Sequence, residues 1–178
     1  MGKTDNIFLI GFMGCGKSTV ASKLNQMYGM HVVEMDQEIS NRQKMSIPDI
    51  FEQYGEEYFR DLESALVKEI TTSSEQVVSC GGGVVLRENN VIEMKKNGHI
   101  VLLTAKPENV LKRVEKNDDR PILKGRKTVK DIAELMGARR EKYEEAADII
   151  VATDDKSIEE ISKEILERIK EIGEINYV

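Results

Sequence analysis

Two cysteines, no long apolar run and no surplus of positive charge set the first limits on this chain of 178 residues. Cys15 and Cys80 are too few for a disulfide framework, which suits a reducing compartment. No apolar stretch approaches the ~20 residues of a membrane span. The run before Gly11 spans about five residues, too short for the apolar region of a secretory signal. The chain starts Met-Gly but has Asn6 where a myristoylation signal needs Ser or Thr. A formal net charge of −6 argues against a general nucleic-acid or anionic-membrane surface, so any anion site must be built locally. Repeats, linkers and low-complexity tracts are absent too. The expectation is a cytoplasmic protein.

What is present is the pattern of a globular α/β chain. Hydrophobic residues make up 40% and charged residues 33%, enough to bury a core at this length. "NIFLIG" (6–11), "HVVEMD" (31–36), "QVVSC" (76–80), "HIVLLTA" (99–105) and "DIIVAT" (148–153) read as strands. Helical spacing runs over 17–29, 46–55, 56–73, 88–98, 107–116, 128–147 and 157–173. Gly29 stands where a C-cap belongs, and Ser46 with Pro48 marks a helix start. Strands alternating with helices predict a parallel sheet covered on both faces, a three-layer α/β sandwich, in a single domain over 1–178. The segment "KNDDRPILKGRKTVK" (116–130) breaks the pattern and reads either as a solvated loop or as a mobile basic lid.

"GFMGCGKST" (11–19) carries chemistry. Gly11, Gly14 and Gly16 let the backbone curl so that successive N–H groups point at phosphate oxygens. The helix that opens near Lys17 adds the positive end of its dipole. Lys17 then reaches the β- and γ-phosphates, and the Ser18 hydroxyl ligates Mg²⁺. A strand before the loop and a helix after it are the context this motif requires. ATP or GTP binding with Mg²⁺ is expected, through Gly14, Cys15, Gly16, Lys17, Ser18 and Thr19. A guanine-reading Asn-Lys-x-Asp motif is missing, which argues against a switch GTPase.

The phosphate loop is followed by "EMD" (34–36), "FRDLE" (59–63), "GGG" (81–83), "RPIL" (120–123) and "RREKY" (139–143). In this order and at these spacings, over essentially the whole length, the chain resembles the shikimate kinase family. The resemblance implies a nucleoside-monophosphate-kinase-like fold. It also implies ATP-dependent phosphorylation of the shikimate 3-hydroxyl, on the route to chorismate and aromatic amino acids. Shikimate carries a carboxylate and three hydroxyls, so its site needs cations at one end and acceptors at the other. Arg60 and Arg139 match the family's carboxylate-binding arginines, a task to which guanidinium geometry is suited. Taken alone, Arg60 reads more readily as the partner of Glu63 in a surface pair along one helix, and it is the resemblance that reverses this. Arg140 is expected to be a solvated neighbour.

Asp36 matches the family's substrate-binding aspartate, a positioning residue first and a general base second, and is compatible with a helix cap. Relatives carry Asp-x-Asp where this chain has Glu34-Met35-Asp36, so Glu34 is the expected holder of a Mg²⁺-bound water. Arg120 matches a lid arginine that meets the nucleotide phosphates in the transition state, in a lid over about 116–128. Arg113 resembles a position that packs on adenine. Residues 34–63 make up the acceptor-binding region.

In "QVVSCGGGVVL" (76–86), Gly82 is the expected N–H donor to shikimate, with Gly81 and Gly83 permitting the turn. The catalytic set is thus Lys17, Asp36 and Arg120. Cys15 and Cys80 are expected to be inert packing thiols; the lesser alternative is an oxidant-sensitive pair, with the thiol pKa of Cys15 lowered by its place at a helix start. A monomer acting on shikimate and ATP is the expectation; the alternatives are another small-molecule kinase on this fold and a non-catalytic nucleotide-binding regulator.

Overall fold

A computed structural model describes residues 5–115 and 128–175. Five parallel strands form its centre: β1 Asn6–Ile10, β2 His31–Glu34, β3 Gln76–Ser79, β4 Gly98–Thr104 and β5 Ile149–Ala152, in the order β2-β3-β1-β4-β5. The helices are α1 Lys17–Tyr28, α2 Met35–Gln43, α3 Ile47–Ile70, α4 Glu88–Lys96, α5 Pro107–Val114, α6 Val129–Ala146 and α7 Ile158–Ile175. Every residue of β1 and β3 is buried, as expected of strands covered on both faces. The edge strand β5 alternates buried and exposed instead.

Local signals set most element ends. Gly29 closes α1 in the left-handed region at φ 71°. Ser46 caps α3 by accepting from the Asp49 N–H, and Thr128 caps α6 by accepting from the Asp131 N–H. Gly55, at φ 85°, breaks α3 into two arms, which is why the sequence reads as two helices there.

One element differs from the expectation. The second strand stops at Glu34, and Met35 and Asp36 already belong to α2. Only Met35 and Ile39 of α2 are buried, a spacing of four within otherwise polar sequence, so the helix has little apolar periodicity to announce it. Among the described residues, no helix is long and apolar enough to cross a membrane.

The sheet also has a polar anchor. Asn6 is fully buried at the start of β1. Its amide donates to Ser73 O at 2.8 Å, and its Oδ1 accepts from the Gln76 N–H at 3.0 Å. It thereby ties the head of β1 to that of β3, at the edge of the sheet opposite the carboxyl ends of the strands. Asn6→Ala leaves the buried Gln76 N–H unpaired, while Ser73 O keeps the Asn97 amide at 3.1 Å, and is expected to cost about 1–3 kcal/mol. Urea denaturation checks this; a loss under about 0.5 kcal/mol would mean that solvent reaches these groups.

Candidate active site

The loop after β1 folds as its glycines require. Gly11, Gly14 and Gly16 all have positive φ, and a Cβ on Gly11 would stand 2.5 Å from Leu103 O. Gly16 heads α1, so the amide end of that helix faces the loop. Lys17 arches back over it, its Nζ donating to Gly11 O at 2.7 Å and Phe12 O at 3.2 Å. Arg113, on α5, donates to Gly14 O at 2.8 Å and so lies across the loop's rim. Thr19 is exposed in the first turn of α1.

Ser18 Oγ donates to Glu34 Oε2 at 2.9 Å and lies 3.3 Å from Ser79 Oγ. Ser79 ends β3, in register with Glu34 on one side and Leu9 on the other. These groups offer oxygen donors only, which fits Mg²⁺, a hard cation that keeps waters and takes further oxygens from phosphates. Among the described residues, no cluster of three His, Cys, Asp or Glu side chains could hold a metal by itself.

Beside this lies the glycine turn. A Cβ on Gly81 would stand 2.7 Å from Glu63 Oε2 and 2.9 Å from Asp36 Oδ1. One on Gly82 would stand 3.3 Å from Arg139 Nη1, and one on Gly83 would run into the Arg60 guanidinium. Tyr143 donates its hydroxyl to Gly82 O. Three separate elements, α2, α3 and α6, thus deliver Asp36, Arg60 and Arg139 to three consecutive glycines.

The reason for the glycines differs from the expectation. None of the three has a positive φ, so the turn does not need their conformational freedom. They are glycines because a side chain would collide with the charged groups pressed against them.

Arg60 is 6% exposed and Glu63 fully buried, their ion pair 3.0 Å long, so this is no surface pair. Burial pushes the Glu63 carboxyl up to about 7 against the pull of Arg60, and the Asp36 charge pushes the same way. Glu63 Oε2 and Asp36 Oδ1 are both buried without a hydrogen-bond partner. Arg140, beside Arg139, is exposed and pairs with Glu144 at 2.9 Å.

Burial favours the packing reading of both cysteines over a lowered pKa at Cys15. It raises that thiol in spite of Lys17 and Arg113, and raises Cys80 further, beyond the ordinary thiol range. Arg120 and the rest of 116–127 lie outside the described residues. Sequence reasoning did not place Ser79, Glu63 or Tyr143 in the site. Each was visible only as a neighbour of something else: the end of a strand, the partner of Arg60, the end of an Arg-x-x-x-Tyr spacing.

A phosphate loop at the carboxyl edge of a five-stranded parallel sheet, with a separate charged cradle one strand away, defines a P-loop kinase. A family model described as shikimate kinase matches residues 13–170. A shikimate kinase from Caldanaerobacter subterraneus subsp. tengcongensis is 40% identical over 161 residues, covering 90% of this chain and 94% of that one. One from Persephonella marina is 43% identical over 165 residues, covering 93% and 99%. The structure of shikimate kinase from Acinetobacter baumannii in complex with shikimate superposes with a TM-score of 0.88 at 30% identity, covering 94% of each chain. The chain belongs to the shikimate kinase family.

Two outcomes follow from the cradle. Gly83→Ala is expected to displace the Arg60 guanidinium and cost about 1–3 kcal/mol, read by chemical denaturation, because the site is already filled. The second concerns pH. The folded-state pKa of Glu63 is raised, so between about 4.5 and about 7 the folded protein holds a proton that the unfolded chain has released. Its contribution to stability is complete below that window and lost as pH rises through it. Relative to Glu63→Gln, the native chain is expected to lose on the order of 2–3 kcal/mol between about pH 5 and about pH 8. Parallel stability curves for the two proteins would rule this out.

Proposed function

We propose that this chain transfers the γ-phosphoryl group of ATP to the 3-hydroxyl of shikimate, giving shikimate 3-phosphate and ADP. The carrying observation is the convergence of two guanidiniums and a carboxylate on Gly81–Gly83, one strand away from the phosphate loop. Cations for a carboxylate and an acceptor for ring hydroxyls, set around bare main chain, suit a small, flat, anionic alcohol better than a nucleobase.

In this reading, Arg60 and Arg139 hold the carboxylate, the Gly82 N–H donates to the acceptor, and Asp36 orients the hydroxyl that attacks. Asp36 can also take the hydroxyl proton, although a loose transition state asks more for alignment than for deprotonation. Lys17 exchanges its loop carbonyls for the β- and γ-phosphates, and the loop amides of Gly14, Cys15, Gly16, Ser18 and Thr19 cradle them. Arg113 flanks the adenine side. Arg120 neutralises charge as it develops on the phosphates. Ser18, and Glu34 through a water, would hold Mg²⁺, whose charge offsets that of the phosphates. Two free buried thiols support a reducing, cytoplasmic setting, in which the chain would act as a monomer.

Release of ADP from Mg-ATP, measured against shikimate, quinate, gluconate and AMP, tests the assignment. Turnover with shikimate alone is expected; preference for gluconate or AMP would redirect it to another kinase on this fold, and no turnover to a regulator. Arg139→Ala is expected to raise the KM for shikimate by at least about tenfold while leaving that for ATP within about threefold. Equal rises in both would remove Arg139 from carboxylate binding.

A further inference from the structure

Glu63 is a buried carboxyl that the transfer chemistry does not use. Its Oε1 accepts from Arg60 Nη1 at 3.0 Å, while Oε2 has no partner and, like Asp36 Oδ1, lies within 3 Å of the position a Cβ on Gly81 would take. Two partnerless carboxylate oxygens close to one point, both out of water, repel each other with little screening. A proton on Glu63 removes that repulsion. It also leaves the positive charge of Arg60 uncancelled on the inner side, where only the half-exposed Glu56 then competes for it at 3.3 Å.

The charged and titratable groups around Glu63 are Arg60 on its own helix, Asp36 from α2, Arg139 from α6 and the Cys80 thiol after β3. The arriving acceptor adds a carboxylate to this set and excludes water. Both changes favour the neutral form of a nearby acid.

We propose that Glu63 is a positioning residue that takes up a proton when the acceptor's carboxylate docks on Arg60 and Arg139, so that acceptor binding is coupled to protonation. The inference rests on the shikimate reading above. The proton comes from solvent, resides on Glu63 Oε2, and returns when the product leaves. Below about pH 7, where Glu63 already holds its proton, binding proceeds without uptake; above it, each docking event draws a proton in.

Calorimetric titration of the full chain with shikimate, in two buffers of different ionisation heat, reads the uptake directly. The heat is expected to be independent of buffer near about pH 6 and to correspond to nearly one proton taken up near about pH 8. The Kd is expected to rise up to tenfold per pH unit above about 7. Glu63→Gln, which keeps the shape without the titration, is expected to bind shikimate with no buffer-dependent heat. A carboxyl ¹³C resonance in glutamate-labelled native protein is expected to titrate near 7 and move to higher pH with shikimate, a readout that does not depend on the variant folding. Buffer-independent heat at both pH values, or uptake that persists in Glu63→Gln, overturns the inference while leaving shikimate as the acceptor. Absence of shikimate binding at either pH overturns the reading of the acceptor and the inference with it.

Discussion

Arg60 and Glu63 lie one turn apart on α3, both withdrawn from water, and the main chain of Gly81–Gly83 runs directly against them. Burying an ion pair has a desolvation cost that its own attraction does not reliably offset, so such a pair is weak support for stability. Its use here is directional. The guanidinium is packed beside Phe59, with 5.3 Å between its carbon and the ring centroid, and is held by carboxylates behind it. These bonds use Nε–H and one N–H on each terminal nitrogen, which leaves one N–H on each for a further acceptor. The glycines, the start of α2 and the end of α6 are all arranged around that one fixed cation.

This arrangement explains why the acceptor side is built from short-range charge rather than from the charge of the molecule as a whole. A protein with net charge −6 repels anions at a distance. In the proposed reading it recognises a carboxylate where water is scarce and two guanidiniums are close. The phosphate side adds to the Lys17 ammonium a set of backbone amides and a helix end that carry partial charge.

The sheet and most helices were legible because their signals are local: apolar runs for strands buried on both faces, Ser46 as a cap, Gly29 as a stop. The helix α2 was not, since two buried residues in nine carry no visible period. The phosphate loop could be read residue by residue because its function is a property of consecutive residues. The acceptor cradle could be named only through family likeness, as Asp36, Arg60, Gly82 and Arg139 come from elements far apart in sequence. What neither pattern nor likeness conveyed was depth. Glu63 and Cys15 owe their raised pKa values to burial, and burial belongs to the whole packed structure rather than to any segment of it.

The pairing of β1 with β3 has a geometric consequence. The phosphate loop leaves the end of β1 and the glycine turn leaves the end of β3, and these strands are hydrogen-bonded neighbours with Leu9 opposite Ser79. Donor and acceptor platforms are therefore set apart by a single inter-strand spacing, about 4.8 Å, in a lattice that slips only in whole residues. The ladder works as a vernier: it fixes how far apart the two loops leave the sheet before any side chain is placed.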